Sequence, residues 1–310
     1  MLGHMPVTPS TGPRTSSPAL FLVLGSCISL QFGAAFAAKL FPELGSWGTT
    51  VLRLGIAALV LLAITRPAVR RWNRDQWRAT LALGLSLAGM NGFFYAAIER
   101  LPLGTAVAIE FLGPLTLAAV LTRKARDLTW VALALGGMTL LAVESVTTDA
   151  YLDPLGALYA LIAAMFWALY IQTGARVGIL VPGTGGLAVA LVIATFAVAP
   201  LGMPGAVQVV HAPHLLLIGA GTALLASVIP YTLELAALRR VPRNVFGILL
   251  SLEPVAATFI GWLLLSQSAG PFRLLAIGLV VAASVGSSLS GRRVDDEEPV
   301  RNPAVAVTSS

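Results

Sequence analysis

Residues 98–115 read IERLPLGTAVAIEFLGPL, and residues 238–255 read LRRVPRNVFGILLSLEPV. In each stretch a short polar break precedes a proline, and an apolar run then carries one carboxylate and ends at a second proline. At an offset of 140 positions, Ala96, Ala97, Arg100, Pro102, Leu112 and Pro114 fall on Ala236, Ala237, Arg240, Pro242, Leu252 and Pro254. Two prolines repeated at one spacing mark an internal duplication, with a proline-broken apolar run and a buried acid in each half.

The composition sets the solvent. The chain has 310 residues, 57% hydrophobic and 11% charged, where soluble domains carry roughly 25% charged residues. A water-facing surface cannot be built from so few charges, which makes this a polytopic membrane protein. The net charge of +6 would suggest nucleic acid in a soluble chain. Here the bases lie in short loops between apolar runs, where they set topology. Cys27 is the single cysteine, so no disulfide framework exists, and with three histidines there is no metal-ligand pattern. No cofactor motif is found either.

A spanning helix needs about 20 apolar residues. Ten spans fit, at about 19–40, 47–65, 77–98, 103–122, 128–146, 154–175, 185–203, 213–238, 243–265 and 271–290. Connections after even-numbered spans, with Arg78 and Arg243 at the starts of the spans that follow and with the two tails, hold 16 of the 20 basic residues. The positive-inside rule therefore puts both termini in the cytoplasm. Residues 1–18 and 291–310 are polar and read as disordered cytoplasmic tails. Each repeat, 19–146 and 154–290, has five spans, an odd number, so the second is inserted upside down. The expected fold is thus an all-α membrane protein of ten transmembrane helices in two inverted five-helix repeats, an architecture that in transporters places substrate near the midplane.

Charge at membrane depth costs roughly 2.5–3.5 kcal/mol and is usually kept for a reason. Glu110 and Glu253 both fall near the midplane and are candidates for a substrate ammonium or a proton. Structural carboxylates held by an arginine are the competing reading. Arg53 lies at a similar depth and either pairs with Glu110 or snorkels to the interface. Glu234 is expected to pair with Arg239 at the cytoplasmic end. Pro114 and Pro254 remove hydrogen bonds to the carbonyls of Glu110 and Leu250 and kink their helices, with Gly113 beside the first. Freed backbone groups in lipid must face protein or water, which points to a cavity. Gln31, Asn91, Tyr95, Trp167, Tyr170, Gln172 and Tyr231 are candidates to complete a pocket for a small amphipathic solute. Gly174-x-x-x-Gly178 reads as a close-packing site. No Walker A, zinc-protease or nucleophile-elbow motif occurs, so a secondary transporter is favoured over a membrane-embedded enzyme or a non-transporting scaffold.

Four pieces carry a family resemblance: AVAIEFLGPL at Ala106–Leu115, FWALY at Phe166–Tyr170, IPYTLEL at Ile229–Leu235 and FGILLSLEP at Phe246–Pro254. The chain resembles the EamA family of the drug/metabolite transporter superfamily over about residues 19–290. Within it the likeness is to bacterial threonine/homoserine exporters. That resemblance implies ten helices in two inverted repeats and proton-coupled export of a small amino acid across the bacterial inner (plasma) membrane by alternating access. The implied partners are a small-molecule substrate and the lipid bilayer, not nucleic acid. A broader efflux or uptake role for other metabolites or drugs is the alternative within the superfamily.

Overall fold

The structure is a computed structural model that describes residues 17–122, 125–147, 152–238 and 250–295. The described residues form helices and no strands. In order these are α1 (Ser17–Ala38), α2 (Phe41–Thr65), α3 (Arg74–Ile98), α4 (Leu103–Glu110), α5 (Leu112–Thr122) and α6 (Ala125–Thr147). Beyond them come α7 (Pro154–Leu180), α8 (Gly185–Ala206), α9 (His214–Ala223), α10 (Ile229–Leu238), α11 (Glu253–Leu265) and α12 (Pro271–Asp295). Six continuous stretches among them are long and apolar enough to cross a membrane, and four shorter apolar helices accompany them. The first seven residues of the expected ninth span lie outside the described residues, as do Arg239 and its neighbours in the loop before it.

Local chemistry explains where these helices start and bend. Asn73 caps α3 by accepting from the Gln76 amide, and the Gln76 side chain accepts from the Asn73 amide in return, a reciprocal capping box. Asp153 caps α7 through the amides of Leu155 and Gly156, with Pro154 at the first helical position. At the start of α2 the chain turns through Gly45, whose φ of +65° suits a residue without a Cβ. The membrane-length part of α2 therefore begins at Ser46, close to its expected start.

The helices that carry Pro114 and Pro254 break beside those prolines, whereas α8 runs unbroken through Pro200 and Pro204. Pro114 offers no N–H to the Glu110 carbonyl, and a turn at Phe111 separates α4 from α5. Pro254 offers none to Leu250, and a turn at Ser251 and Leu252 precedes α11. Phe111 and Ser251 are 140 positions apart, the offset of the sequence repeat.

Packing pairs α2 with α8, α3 with α7, α6 with α12, α1 with α10 and α4 with α11. Some of these contacts are backbone-close. A Cβ added at Gly113 would lie 2.0 Å from the Ala164 carbonyl oxygen of α7, and one at Gly104 would lie 2.1 Å from Thr258 Oγ1 of α11. The expected packing pair at Gly174 and Gly178 is a correction. A Cβ at Gly174 would meet only Leu83 at 3.8 Å, and nothing lies within 4 Å of one at Gly178. Tight approach occurs where helices cross at the core, whereas Gly174 meets its core neighbour only at ordinary contact distance and Gly178 is exposed.

At the α3–α4 end three polar links tie the elements together. Ser46 Oγ donates to Glu99 at 2.7 Å, Arg100 bridges Asp153 at 3.0 Å, and the Leu103 amide donates to Gln267 Oε1 at 2.9 Å.

Candidate functional site

Arg53 does not snorkel. It is 2% exposed, and its bonds explain how a charge persists there. One terminal nitrogen donates to the Asn91 side-chain oxygen on α3, the other to the Ala226 carbonyl at 3.1 Å. The guanidinium carbon sits 4.7 Å from the centre of the Tyr95 ring, a cation–π contact that gains strength away from water. Asn91 is itself oriented by donating to the Leu87 carbonyl at 2.8 Å. Arg53 Nε has no hydrogen-bond partner among the described residues, and neither has Tyr95 Oη.

Ala226 is available because α9 and α10 are joined by a π-helical turn, Leu224–Val228. Such turns widen the hydrogen-bonding ring and recur at functional sites. α1 holds this one from the other side. Ser29 Oγ donates to the Leu225 carbonyl at 2.8 Å, and Gly33 lets α1 approach so closely that an added Cβ would stand 2.5 Å from the Ala226 amide nitrogen.

Glu110 at the end of α4 and Glu253 at the start of α11 are both buried, at 8% and 5% exposure. The Arg53 charge reaches Glu110, yet the two make no ion pair within 4.0 Å. Glu253 lies within Coulombic range of Glu110 and of Glu234. Tyr231 lies within range of Arg53, Glu234, Tyr95 and Glu110, and Tyr170 within range of Tyr231 and Glu234. These residues from α2, α3, α4, α7, α10 and α11 therefore share one electrostatic neighbourhood.

Other candidates fare differently. Trp167 of α7 packs edge-on against Phe111 at 4.9 Å, which places it beside the break next to Glu110. Gln31 is 2% exposed, and its side-chain oxygen has no partner among the described residues. Gln172 is exposed, and two residues from Tyr170 it projects to roughly the opposite face of α7. The structure does not bring it to the cluster, a correction to the sequence expectation.

Glu234 is the member that sequence reasoning set aside. Its carboxylate accepts from Ser26 Oγ of α1 at 2.7 Å, and Arg239, its expected partner, lies outside the described residues. The signal that would have found Ser26 was one of two hydroxyls, with Ser29, in the apolar run of α1, too common to stand out. Among the described residues no group of three or more His, Cys, Asp and Glu side chains is arranged to hold a metal ion.

Chemically, one buried guanidinium acts on Glu110, and Glu110 in turn on Glu253, which also feels Glu234. Such a place suits a solute with a positive group, or protons, and can hold a solute's negative group at the same time. Spanning helices around a buried charged cluster define a multi-pass membrane protein with ionisable side chains in its interior.

The profile of the EamA-like transporter family matches residues 154–289. The threonine/homoserine exporter RhtA of Escherichia coli (strain K12) is 37% identical over 274 residues, covering 88% of this chain and 92% of that one. The threonine/homoserine exporter RhtA of Salmonella typhimurium (strain LT2) is 39% identical over 276 residues, covering 89% and 92%. A solved crystal structure of a protein 19% identical superposes with a TM-score of 0.56, covering 92% of this chain and 100% of that chain, which shows a shared fold. The chain belongs to the EamA-like transporter family and is a transporter, not an enzyme.

Proposed function

We propose that the protein exports a small amino acid, threonine or homoserine or a close analogue, across the bacterial inner membrane. The observation that carries this is the match of nearly the whole chain to exporters of those amino acids. The buried cluster suits such a solute, since an amino acid carries both signs of charge on a small body. A wider metabolite or drug exporter would use an apolar pocket such as the cavity of about 300 Å³ lined by Phe36, Leu217, Ile218, Gly221 and Leu225, whose lining includes none of the cluster's ionisable residues.

The mechanism we infer is alternating access by two inverted five-helix repeats within ten spans, both termini cytoplasmic. Two features favour it. The helix breaks at Phe111 and Ser251 are related by the repeat offset of 140. The packing pairs also map onto themselves when the halves are exchanged. Counting α4–α5, α9–α10 and α11 with its preceding segment as single spans, second packs on seventh, fourth on ninth and fifth on tenth, while third-on-sixth exchanges with first-on-eighth. On this reading the α3–α4 end faces outward, and its polar links close the site from that side. Glu110, Glu234 and Glu253 are the groups that would carry protons if export is proton-coupled, with Arg53, Tyr95, Tyr170 and Tyr231 the charged or titratable side chains around them.

The test is efflux of labelled threonine and homoserine from cells overproducing the chain, with and without an uncoupler, beside Glu110→Gln. Uncoupler-sensitive efflux that the variant lacks is expected. A folded wild type that moves neither amino acid overturns the substrate, and efflux indifferent to the uncoupler overturns proton coupling.

A further inference from the structure

Arg53 and Glu110 attract one another without touching, and this is an unusual arrangement for buried charge. Opposite charges kept only for packing gain most when they meet in a hydrogen-bonded pair. Here the guanidinium is held back instead. Asn91 and the Ala226 carbonyl each take one terminal nitrogen, and Tyr95 takes the face. What remains is the edge carrying Nε, which has no partner although the residue is 2% exposed. A guanidinium edge is the shape that receives a carboxylate through two parallel hydrogen bonds. An unmade buried N–H is costly, so an arriving carboxylate would satisfy it.

Glu110 supplies the complementary half. It ends α4 where Pro114 removes the next hydrogen bond, so its carboxylate sits at a helix break. Among the acids of the cluster it is the one on which the Arg53 charge acts directly, whereas Glu253 is acted on by Glu234 and Glu110. A group with a cation and an anion on one carbon, inserted between Arg53 and Glu110, completes both.

We propose that Arg53 receives the α-carboxylate of the substrate and Glu110 its α-ammonium, so that the site selects free α-amino acids over their amides, esters and decarboxylated amines. This rests on the amino-acid reading above and adds the polarity with which the solute lies. The carboxylate points toward α2 and the π-helical turn, the ammonium toward the α4–α5 break. Discrimination arises because an analogue without the carboxylate leaves the Arg53 edge buried and unpaired, and a site built for a charged partner rejects the analogue lacking it strongly.

The test uses the purified full chain and ligand-induced thermal stabilisation, which reads binding whether or not a variant still transports. The probes are threonine, threoninamide, 1-amino-2-propanol, and 2,3-dihydroxybutanoate, which keeps the carboxylate and lacks the ammonium. In the wild type the amide and the amine are expected to bind at least about 100-fold more weakly than threonine. In Glu110→Gln the preference for threonine over the dihydroxy acid should collapse, while the preference for threonine over its amide persists. A purely structural role for these residues predicts no such split. If threonine is transported and threoninamide binds as well as threonine, this proposal falls and the exporter reading stands. If the folded wild type neither binds nor transports threonine, both fall.

Discussion

The guanidinium of Arg53 lies over the ring of Tyr95, its carbon 4.7 Å from the ring centre, while Asn91 and the Ala226 carbonyl fix its plane. A lysine keeps the charge but cannot serve both acceptors and the ring from one plane. Arg53→Lys should therefore lower threonine efflux at least about 10-fold, while Asn91→Leu, which leaves the guanidinium short of an acceptor, should cost about 1–3 kcal/mol of stability. Efflux rates and thermal midpoints of the purified variants check the two. Wild-type efflux in Arg53→Lys would reduce the arginine to a generic charge.

Pro114→Ala and Pro254→Ala give the carbonyls of Glu110 and Leu250 back their hydrogen-bond donors. Both prolines stand in the first turn after a break, where proline is tolerated, so neither alanine should shift stability by more than about 1 kcal/mol. Transport should fall, because a straightened helix no longer turns its carbonyls and the adjacent carboxylate into the cluster. Unchanged transport in both variants would mean that the breaks at Phe111 and Ser251 are incidental to function.

Two glycines should behave oppositely. At Gly113 a methyl group would sit 2.0 Å from the Ala164 carbonyl oxygen, backbone that cannot step aside, so Gly113→Ala should destabilise by about 1–3 kcal/mol. At Gly178 there is open space, and Gly178→Ala should be neutral or stabilise the helix by about 1 kcal/mol. Detergent-solubilised thermal midpoints of the pair decide it. Equal destabilisation would show that α7 packs through Gly178 after all.

Features governed by local rules are legible in the sequence. A proline removes one helix hydrogen bond in any surroundings, so the weak points beside Glu110 and Glu253 can be read directly, whereas α8 runs unbroken through Pro200 and Pro204 and shows that the break itself depends on context. So can the burial of the two acids, because each stands well inside an apolar run. Arg53 is undecidable in the sequence. Its choice between snorkelling and burial depends on Asn91, 38 residues on, and on a carbonyl freed by a π-helical turn 173 residues on. The Ser26 partner of Glu234 is hidden for the same reason, since it lies 208 residues back. Rotation of α7 is equally invisible, since with lipid or protein on every side its apolar pattern does not say that Tyr170 turns inward and Gln172 outward.

The α3–α4 end should respond to pH through Arg100 and Asp153. The hydrogen bond from Arg100 holds the Asp153 carboxyl below its usual range, helped by the amide of Gly156, and the same bond raises Arg100. A carboxyl whose folded value is depressed stabilises the fold above its unfolded value, and that contribution is lost as pH falls through the folded value. The link is thus intact at neutral pH and disappears in acid, below the ordinary aspartate value of 3.8. Both groups are partly exposed, at 42% and 24%, so the effect on global stability is small and salt-sensitive. The local effect is larger, because Asp153 also caps α7. Hydrogen exchange at the Leu155 and Gly156 amides should be slow at neutral pH and quicken below about pH 4 beyond the intrinsic rate. Asp153→Asn keeps an acceptor for the cap while removing the charge, so it should retain much of that protection and lose its pH dependence. If exchange in the wild type tracks only the intrinsic rate across that range, Asp153 does not hold this end of the protein.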